Sequence, residues 1–302
     1  MIKSVIVTNY LGESVQLRLG ELEPKSGLLI TNIDGLGPAK ANVNTTEMAT
    51  NDGDVYNSSR LTKRNIVLTL RFGWAPTIEQ ARQKSYKYFP IKRRVGLLFE
   101  TDNRICEVFG YVESNEPNIF SPESETKISI ICPDPYFYSV EENVLSFYSM
   151  ESLFEFPFEN DSVSEPMIEM GSIQLKSEQT IYYTGDAETG IVINIHAIGS
   201  VSNVTIFNMG TREVMKLDTN RLQEMTGYGI IAGDDITIST VRGKKSVYLL
   251  RNGVRTNIIN CLDKQADWFQ LAKGDNVFAY TADAGSVNLQ FKITNQIVYE
   301  GV

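Results

Sequence analysis

The sequence predicts two domains: an α+β domain of antiparallel strands with one helix, followed by an all-β sandwich. Three observations lead to this prediction. A chain of 302 residues is long for a single hydrophobic core. Residues 127–138 begin as a strand of alternating apolar and polar residues, and Pro133 and Pro135 then end the pairing and favour extended backbone. One clear helical pattern precedes this joint, and none persists beyond it. We therefore predict domains at 1–138 and 139–302.

In the first domain, short apolar runs bounded by turn residues predict a series of strands. They cover residues 5–7, 15–19, 28–33, 64–71, 95–100, 104–112 and 127–131. The single helix is predicted to begin after Thr77, because Thr77 and Gln80 have the spacing of a capping box. Pro90 ends the helix. The residues that recur at helical spacing and should face the core are Ile78, Ala81, Ser85, Tyr88 and Phe89.

Residues 39–60 are predicted to form an arm. The segment is polar and poor in apolar periodicity, and residues 52–56 carry a turn signal with Gly53 in the bend. A hairpin of this kind is weakly tied to its own core and often gains stability on a neighbouring chain. The alternative is an ordinary mobile loop.

Six basic residues lie close together around the end of the predicted helix. They are Arg82, Lys84, Lys87, Lys92, Arg93 and Arg94. They indicate either an electropositive patch for an acidic partner or nucleic acid, or a solvated helix face with cations favourably placed near the helix C-terminus.

Beyond the joint, short strands separated by turn signals about every eight to twelve residues predict a β-sandwich or barrel. Aromatic residues have strand-like spacing at 141–150 and 153–158, and residues 160–166 are polar and predicted to form a loop. Further strands are predicted at 167–170, 190–198, 204–207, 236–238, 246–251, 254–259 and 287–293. Asn252-Gly253 is a strong signal for a two-residue hairpin turn.

Charge and cysteine content narrow the class of protein. The formal net charge is −9, and the whole surplus falls from Glu141 onward, with 12 Lys/Arg against 21 Asp/Glu. An acidic domain disfavours sequence-specific nucleic-acid binding. Three widely spaced cysteines argue against a disulfide framework and suggest small buried residues in strands. No apolar run approaches bilayer-spanning length and no signal-peptide pattern is present, so we expect folding in a cytoplasm without membrane insertion.

Residues suited to catalysis or metal binding are sparse. His196 is the one histidine; it alternates with isoleucines on the polar side of a predicted strand, and no nucleophile-elbow motif accompanies it. One histidine and three scattered cysteines are too few for a zinc cluster. Asp234, Asp235 and Asp283 lack the spacing of a calcium loop, and no phosphate-binding loop occurs. We therefore expect no catalytic residue, no metal site and no cofactor.

Four stretches together resemble the distal tail protein family of long-tailed, siphophage-type bacteriophages and prophages. Residues 52–56 precede Arg60 and a strand, and a capped helix at 77–89 runs into Pro90. The strand before the joint ends in Cys-Pro-Asp-Pro-Tyr-Phe-Tyr at 132–138, and Leu-Ala-Lys-Gly-Asp-Asn at 271–276 precedes the last strands. The Pro-Asp-Pro-Tyr joint is the most specific of these motifs, and the resemblance covers nearly the whole chain.

The resemblance implies a structural hub. Proteins of this family form a hexameric ring at the end of the tail tube through N-terminal belt domains, and a galectin-like sandwich attaches receptor-binding and other baseplate proteins. The implied partners are copies of the chain, the tail tube protein, a tail-associated hub protein and those baseplate proteins. The implied location is the virion tail tip, after assembly in the host cytoplasm. The expected interface residues lie in the arm and the joint: Asp54, Tyr56, Arg60, Pro133, Pro135 and Tyr136.

Two other functions remain as alternatives. The acidic sandwich could be a carbohydrate-binding or receptor-binding module of a phage tail, with Trp268 stacking on a sugar ring; the other interpretation of Trp268 is packing. A hydrolase that uses paired carboxylates is the third hypothesis.

Overall fold

The computed structural model describes residues 1–20, 26–49, 52–73, 77–118, 124–152 and 171–302. The chain divides into two compact units: unit 1 contains Met1–Glu141 and Val298–Val302, and unit 2 contains Glu142–Ile297. The predicted boundary at residue 138 lies near this division, but the return of the last five residues to unit 1 has no counterpart in the sequence prediction. The predicted elements at 153–158, 160–166 and 167–170 lie outside the described residues.

Unit 1 is built from antiparallel strands and one helix. The strands are β1 (Ile2–Thr8), β2 (Ser14–Arg18), β3 (Leu28–Asp34), β4 (Ala41–Glu47), β5 (Asp54–Leu61), β6 (Arg64–Phe72), β7 (Arg94–Thr101), β8 (Ile105–Pro117), β9 (Glu125–Cys132) and the start of β10 (Phe137–Ser146). Pairing runs β2–β1–β7–β8–β9–β6–β3, and β10 pairs with β8 beside β9. The seven strands predicted for the first domain are confirmed.

The helix α1 (Ile78–Tyr88) closes the core of unit 1. The Thr77 hydroxyl accepts a hydrogen bond from the Gln80 amide at 3.2 Å, as the capping pattern predicts. Ala81, Ser85 and Phe89 are buried against inward-facing strand residues. The α+β class of the first domain is therefore confirmed.

The described part of unit 2 contains two larger antiparallel sheets and two two-stranded antiparallel sheets. Its strands are β11 (Tyr148–Ser152), β12 (Gly171–Leu175), β13 (Glu178–Tyr183), β14 (Thr189–Gly190), β15 (Val192–Ala197), β16 (Ser202–Asn208), β17 (Glu213–Leu217), β18 (Asp235–Ser239), β19 (Ser246–Arg251), β20 (Val254–Asn257), β21 (Gln270–Leu271), β22 (Gly274–Ala284) and β23 (Leu289–Tyr299), whose last residues belong to unit 1. One sheet has the order β23–β15–β18–β19–β20 and the other β13–β22–β16–β17. Inward residues of both sheets share one core, in which the Tyr280 and Phe291 rings stack at 4.1 Å. This arrangement is a β-sandwich.

The prediction that the second domain is all-β was wrong in one element, because residues Thr219–Thr226 form helix α2. The Asp218 carboxylate caps its first turn, accepting from the Asn220 amide at 2.9 Å, and Gly227 ends it at φ 85°. Only Thr219 and Leu222 are buried, and eight residues are too few to show a helical repeat.

Smaller predictions had mixed outcomes. Asn252 and Gly253 have φ 51° and 79° between β19 and β20, which confirms the hairpin turn. All three cysteines are free and buried. Cys106 and Cys132 lie in strands as expected, but Cys261 lies in a 3-10 helix, Ile259–Cys261, that follows β20.

Candidate functional site

The arm is a two-stranded hairpin that lacks support from the body of unit 1. β4 and β5 pair with each other and with no other described strand, and all but one of their residues are exposed. An isolated two-stranded hairpin is only marginally stable in water. β4 and β5 therefore form a hairpin without support from a third described strand, and both of its faces are exposed.

Two of the three expected interface residues of the arm share a face. Cross-strand pairing sets Thr45 opposite Tyr56 and Glu47 opposite Asp54, so Asp54 and Tyr56 lie on one side of the hairpin. Arg60 is paired with Asn42 on the other side. Tyr56 is 61% exposed, and its hydroxyl bonds to the Ser59 hydroxyl at 2.8 Å, which holds an aromatic ring outward on the arm.

Arg64 fixes the root of the arm. Its side chain, 3% exposed, donates to the carbonyl oxygens of Gly35 at 2.6 Å, Pro135 at 2.7 Å and Glu300 at 2.6 Å, and to that of Gly37. The guanidinium also lies 4.3 Å from the centroid of the Phe137 ring. Burial lowers the pKa of Arg64, but an arginine stays charged at neutral pH.

Arg64 was not among the residues predicted from the sequence, although its position in β6 carries a signal. Arg64 lies on the same side of β6 as four buried apolar residues, Ile66, Leu68, Leu70 and Phe72. A charged residue on the apolar side of a predicted strand must find partners inside the fold. Here those partners are the loop before the arm, the joint and the C-terminal residues.

The joint is a loop inside unit 1. Residues 133–136 separate β9 from β10, and Phe137 is buried in the core of unit 1. The Asp134 carboxylate accepts from the Tyr136 amide at 3.2 Å and from the Tyr138 hydroxyl at 2.6 Å. Of the expected interface residues, Pro133 is exposed, whereas Pro135 and Tyr136 are half-buried. The structure links Pro135 to the arm root through Arg64.

The basic cluster at the end of α1 separates into two groups. Arg82 pairs with Glu79, Lys87 lies 2.7 Å from Glu13, and Lys84 donates to a backbone carbonyl. The Glu13 carboxylate raises the pKa of Lys87. Lys92, Arg93 and Arg94, by contrast, are exposed and have no carboxylate within ion-pair distance among the described residues.

In unit 2, His196 lies on the polar face of β15, with Nδ1 2.7 Å from Asp235. Trp268 is half-buried, packs partly against the core and lines a cleft of about 550 Å³ together with Arg221, Asp263 and Lys264. Lys245 lies 5.1 Å from the centre of the indole. Within the described ranges, no three His, Cys, Asp or Glu side chains group as a possible metal site. No helix in these ranges is long and apolar enough to cross a membrane.

Comparison with known protein families gives a match within unit 2. Residues 184–295 match the family described as the siphovirus-type tail component, C-terminal domain. Most of unit 2 is therefore similar to a siphovirus-type tail-component domain. This match confirms the resemblance to distal tail proteins that the sequence motifs indicate. No curated protein sequence matches the chain.

Solved structures extend the similarity beyond the tail-component domain. The distal tail protein of phage SPP1, described as a paradigm of the hub adsorption apparatus of phages that infect Gram-positive bacteria, is 13% identical, with a TM-score of 0.66 over 98% of this chain and 99% of that one. At this identity the match establishes the fold. Two structures of the activated baseplate of phage P2, with Ca and with Sr, match at 11% identity and a TM-score of 0.48, covering 98% and 97% of this chain and the same shares of those chains.

Proposed function

We propose that the chain is a non-enzymatic structural hub of a phage tail tip. In this function, unit 1 forms a hexameric ring at the end of the tail tube, and unit 2, a galectin-like sandwich, attaches receptor-binding and other baseplate proteins. The observation that carries the proposal is the match of residues 184–295 to a siphovirus-type tail component. The whole-length similarity in fold to the SPP1 distal tail protein supports it.

The arm supports self-association through unit 1. A hairpin exposed on both faces presents free strand edges and exposed apolar side chains, which in a soluble chain favour pairing with another surface. A contact between an arm and a different surface on the next copy is heterologous, so repeated copies close into a ring when the rotation allows. Asp54, Tyr56 and Arg60 are the proposed contact residues of the arm, and Pro133, Pro135 and Tyr136 are those of the joint.

The proposed location at the end of the tail tube implies the remaining partners. The proposed hub contacts the tail tube protein on one side and a tail-associated hub protein on the other, and it is assembled in the host cytoplasm before joining the virion. It uses no cofactor, inserts into no membrane and reads no nucleic-acid sequence.

Mass photometry and negative-stain microscopy of the purified chain test the ring directly. We expect six-fold annuli whose population rises with protein concentration. A monomer at every concentration and salt, with and without purified tail tube protein, would contradict the proposal.

Excision of the arm tests its part in assembly. The Lys40 carbonyl accepts from the Thr62 amide at 3.3 Å and from its hydroxyl at 3.1 Å, so a chain lacking residues 41–61 can rejoin across this short gap. No excised residue belongs to the core of unit 1, so we expect an unchanged unfolding midpoint and a loss of rings. Rings of normal size from the excised chain would show that the arm is dispensable.

A carbohydrate-binding function is the second candidate, and the cleft beside Trp268 favours it. An indole bordered by Arg221, Asp263 and Lys264 can stack on a sugar ring while charged groups bond its hydroxyls. A glycan array probed with the wild type and with Trp268→Phe and Trp268→Ala tests it. Binding that survives Phe and disappears with Ala in a folded variant supports stacking, and an array without signal removes this candidate.

A further inference from the structure

We propose that the open edge of β20 in unit 2 binds an extended segment of a partner protein, in which acidic and apolar residues alternate. The segment adds a strand to the sheet β23–β15–β18–β19–β20, and its end enters the cleft beside Trp268. The inference rests on the proposed function only in that unit 2 binds partners. It adds the surface that binds and the chemistry of the segment that is bound.

β20 is the last strand of its sheet and leaves one row of backbone groups unpaired. Within the described ranges, β20 pairs with β19 alone. The Ile258 amide, just beyond β20, donates to the Val247 carbonyl at 2.9 Å. Backbone groups alternate in direction along a strand, so those of Arg255 and Asn257 point away from β19. An added strand can bond these outward amides and carbonyls.

The side chains of β20 are accessible as well as its backbone. Val254 is 65% exposed, and Arg255 and Asn257 are also exposed. Thr256 is only half-buried, although its cross-strand neighbour Leu249 is buried in the core. The edge is therefore not covered by any element that the structure describes.

The edges of the opposite sheet differ from β20. Residues 263–267 cover β17, since the Asp263 and Asp267 amides each donate to a carbonyl of that strand at 2.9 Å. β13 is open, but residues 178–188 contain three aspartate or glutamate residues and no lysine or arginine. An acidic segment is therefore repelled by the β13 edge.

The β20 edge is basic, in a chain whose net charge is −9. Residues 236–262 contain five lysine or arginine residues and no aspartate or glutamate. Two of the five have carboxylate partners, whereas Lys244, Lys245 and Arg255 have none in the described part of the chain. The Arg255 guanidinium lies 3.8 Å from the centroid of the Tyr248 ring, an arrangement that leaves its edge free to bond a carboxylate. Charge thus favours an acidic partner.

The Trp268 cleft lies at one end of this edge. Ile259 and Asn260 line the cleft and follow Asn257 by two and three residues. A strand that pairs along β20 therefore continues into the cleft, where one apolar side chain of the partner packs against the indole. Lys245, 5.1 Å from the centre of the indole, places one of the three unpaired cations beside this end of the strand.

Strand pairing determines the pattern of the bound segment. Its side chains beside Arg255 and Asn257 lie on the outer face of the sheet, where carboxylates meet the guanidinium. Its side chains beside Val254 and Thr256 lie on the inner face, where apolar residues extend the sandwich. Main-chain hydrogen bonds supply most of the affinity and the cations mainly select the partner, so binding depends only weakly on salt.

A display library of random peptides of about twelve residues, selected against the full-length chain, tests this edge without knowledge of the natural partner. We expect enriched peptides to alternate acidic and apolar residues and to carry an aromatic or large apolar residue near one end. Fluorescence anisotropy of the labelled peptides measures their affinity for the wild type and for each variant.

Two substitutions of Arg255 separate the charge from the backbone. Arg255→Gln removes the cation and keeps the outward amide, and we expect binding about two- to fivefold weaker. Arg255→Pro also removes that amide, which proline is tolerated in doing where an edge strand faces solvent. We expect it to bind about tenfold more weakly than Arg255→Gln, because the proline ring occupies the place of a partner carbonyl.

Thr180→Pro is the matched control on the other open edge. Thr180 is opposite Val277, whose carbonyl accepts from Met209 on the far side, so the Thr180 amide also points outward. This variant should bind the peptides like the wild type. All three substitutions should leave the unfolding midpoint nearly unchanged, because no strand pairing is lost.

N-methylation of the selected peptide tests strand addition without altering the protein. Methyl groups on alternate amides remove the donors that face β20, whereas methyl groups on the intervening amides face solvent. We expect one set to abolish binding and the other to preserve it. Equal effects of the two sets would contradict strand addition even if Arg255→Pro fails to fold.

The outcomes distinguish failure of this docking from failure of the hub. If no peptide is enriched, or if enriched peptides bind Arg255→Pro as tightly as the wild type, the edge docking is wrong, and rings in mass photometry leave the hub standing. If peptides bind through the edge while no rings form, the ring fails and the docking stands. If the glycan array gives Trp268-dependent binding while the enriched peptides bind independently of Arg255, the cleft serves a carbohydrate and the docking is wrong.

Discussion

Arg64 offers the sharpest test of how unit 1 is held together. Arg64→Met keeps the length and apolar stem of the side chain but removes every donor. Four carbonyl oxygens then lose their bonds: those of Gly35, Gly37, Pro135 and Glu300. We call these four hydrogen bonds of Arg64 the clamp. The change leaves the strand pairing of β6 intact, so it tests the clamp rather than the sheet.

The expected magnitude follows from the bonds that are lost. A hydrogen bond from a charged donor contributes about 1.5–3 kcal/mol, and a buried carbonyl left without a donor costs about 1–3 kcal/mol. The desolvation of the guanidinium opposes these gains in the wild type, since a buried charge is itself unfavourable. Because Arg64 bonds only neutral carbonyl oxygens, its removal leaves no uncompensated charge, and we expect a loss of about 2–3 kcal/mol in the free energy of unfolding of unit 1.

Urea denaturation followed by hydrogen exchange measures this effect. Exchange should accelerate in residues 35–37 and 299–302, which the clamp joins, while unit 2 keeps its protection. Arg64→Lys is the control and should have an intermediate effect, because a lysine ammonium cannot reproduce the planar fork. A loss below about 1 kcal/mol with unchanged exchange would refute the clamp, since it would mean that water replaces the guanidinium without penalty.

Three further predictions concern single sites. Burial raises the pKa of Cys106 and Cys132 to about 11, so only about one thiol in a thousand is ionised at pH 8. Ellman's reagent should therefore label these residues only after urea unfolds unit 1. Rapid labelling of the native protein would contradict this burial. Asp234→Asn should lower the free energy of unfolding of unit 2 by about 3 kcal/mol, because the buried Asp234 carboxylate accepts hydrogen bonds from Arg251 at 2.7 and 2.6 Å. An unchanged urea midpoint would show that the pair contributes little. Gly253→Ala should lower the free energy of unfolding by about 1 kcal/mol, because φ at this position is 79°, while no heavy atom obstructs the added methyl group. A neutral effect in thermal unfolding would indicate that the turn relaxes.

Local chemistry predicted most of the fold. Thr77 and Gln80 located the start of α1, and Asn252-Gly253 located a turn, because both signals act within four residues. Alternation predicted the strands for a similar reason, since one side of each strand is buried. The arm also followed from its sequence, because a polar segment without apolar periodicity has nothing to pack on its own core.

The features that were missed depend on contacts between distant residues. Arg64 and Glu300 are remote in sequence, and a backbone carbonyl acceptor leaves no trace in residue type. The return of residues 298–302 to unit 1 has the same origin. Helix α2 was missed because its stability comes from a cap at each end and one buried leucine rather than from a repeat.

The acidic residues of the second predicted domain are unevenly distributed along the chain. The stretch 141–170 contains eight Asp/Glu and no Lys/Arg, whereas residues 171–302 contain 13 Asp/Glu and 12 Lys/Arg. The acidic surplus therefore belongs to residues 141–170, and residues 171–302 are nearly neutral. Net charge then gives no reason to expect basic partners on the sandwich, and binding there should depend weakly on salt. Self-association through the arm, whose end carries Glu47, Asp52 and Asp54 and no lysine or arginine, should weaken as salt rises. A salt titration can thus separate self-association through unit 1 from partner binding through unit 2 without any substitution.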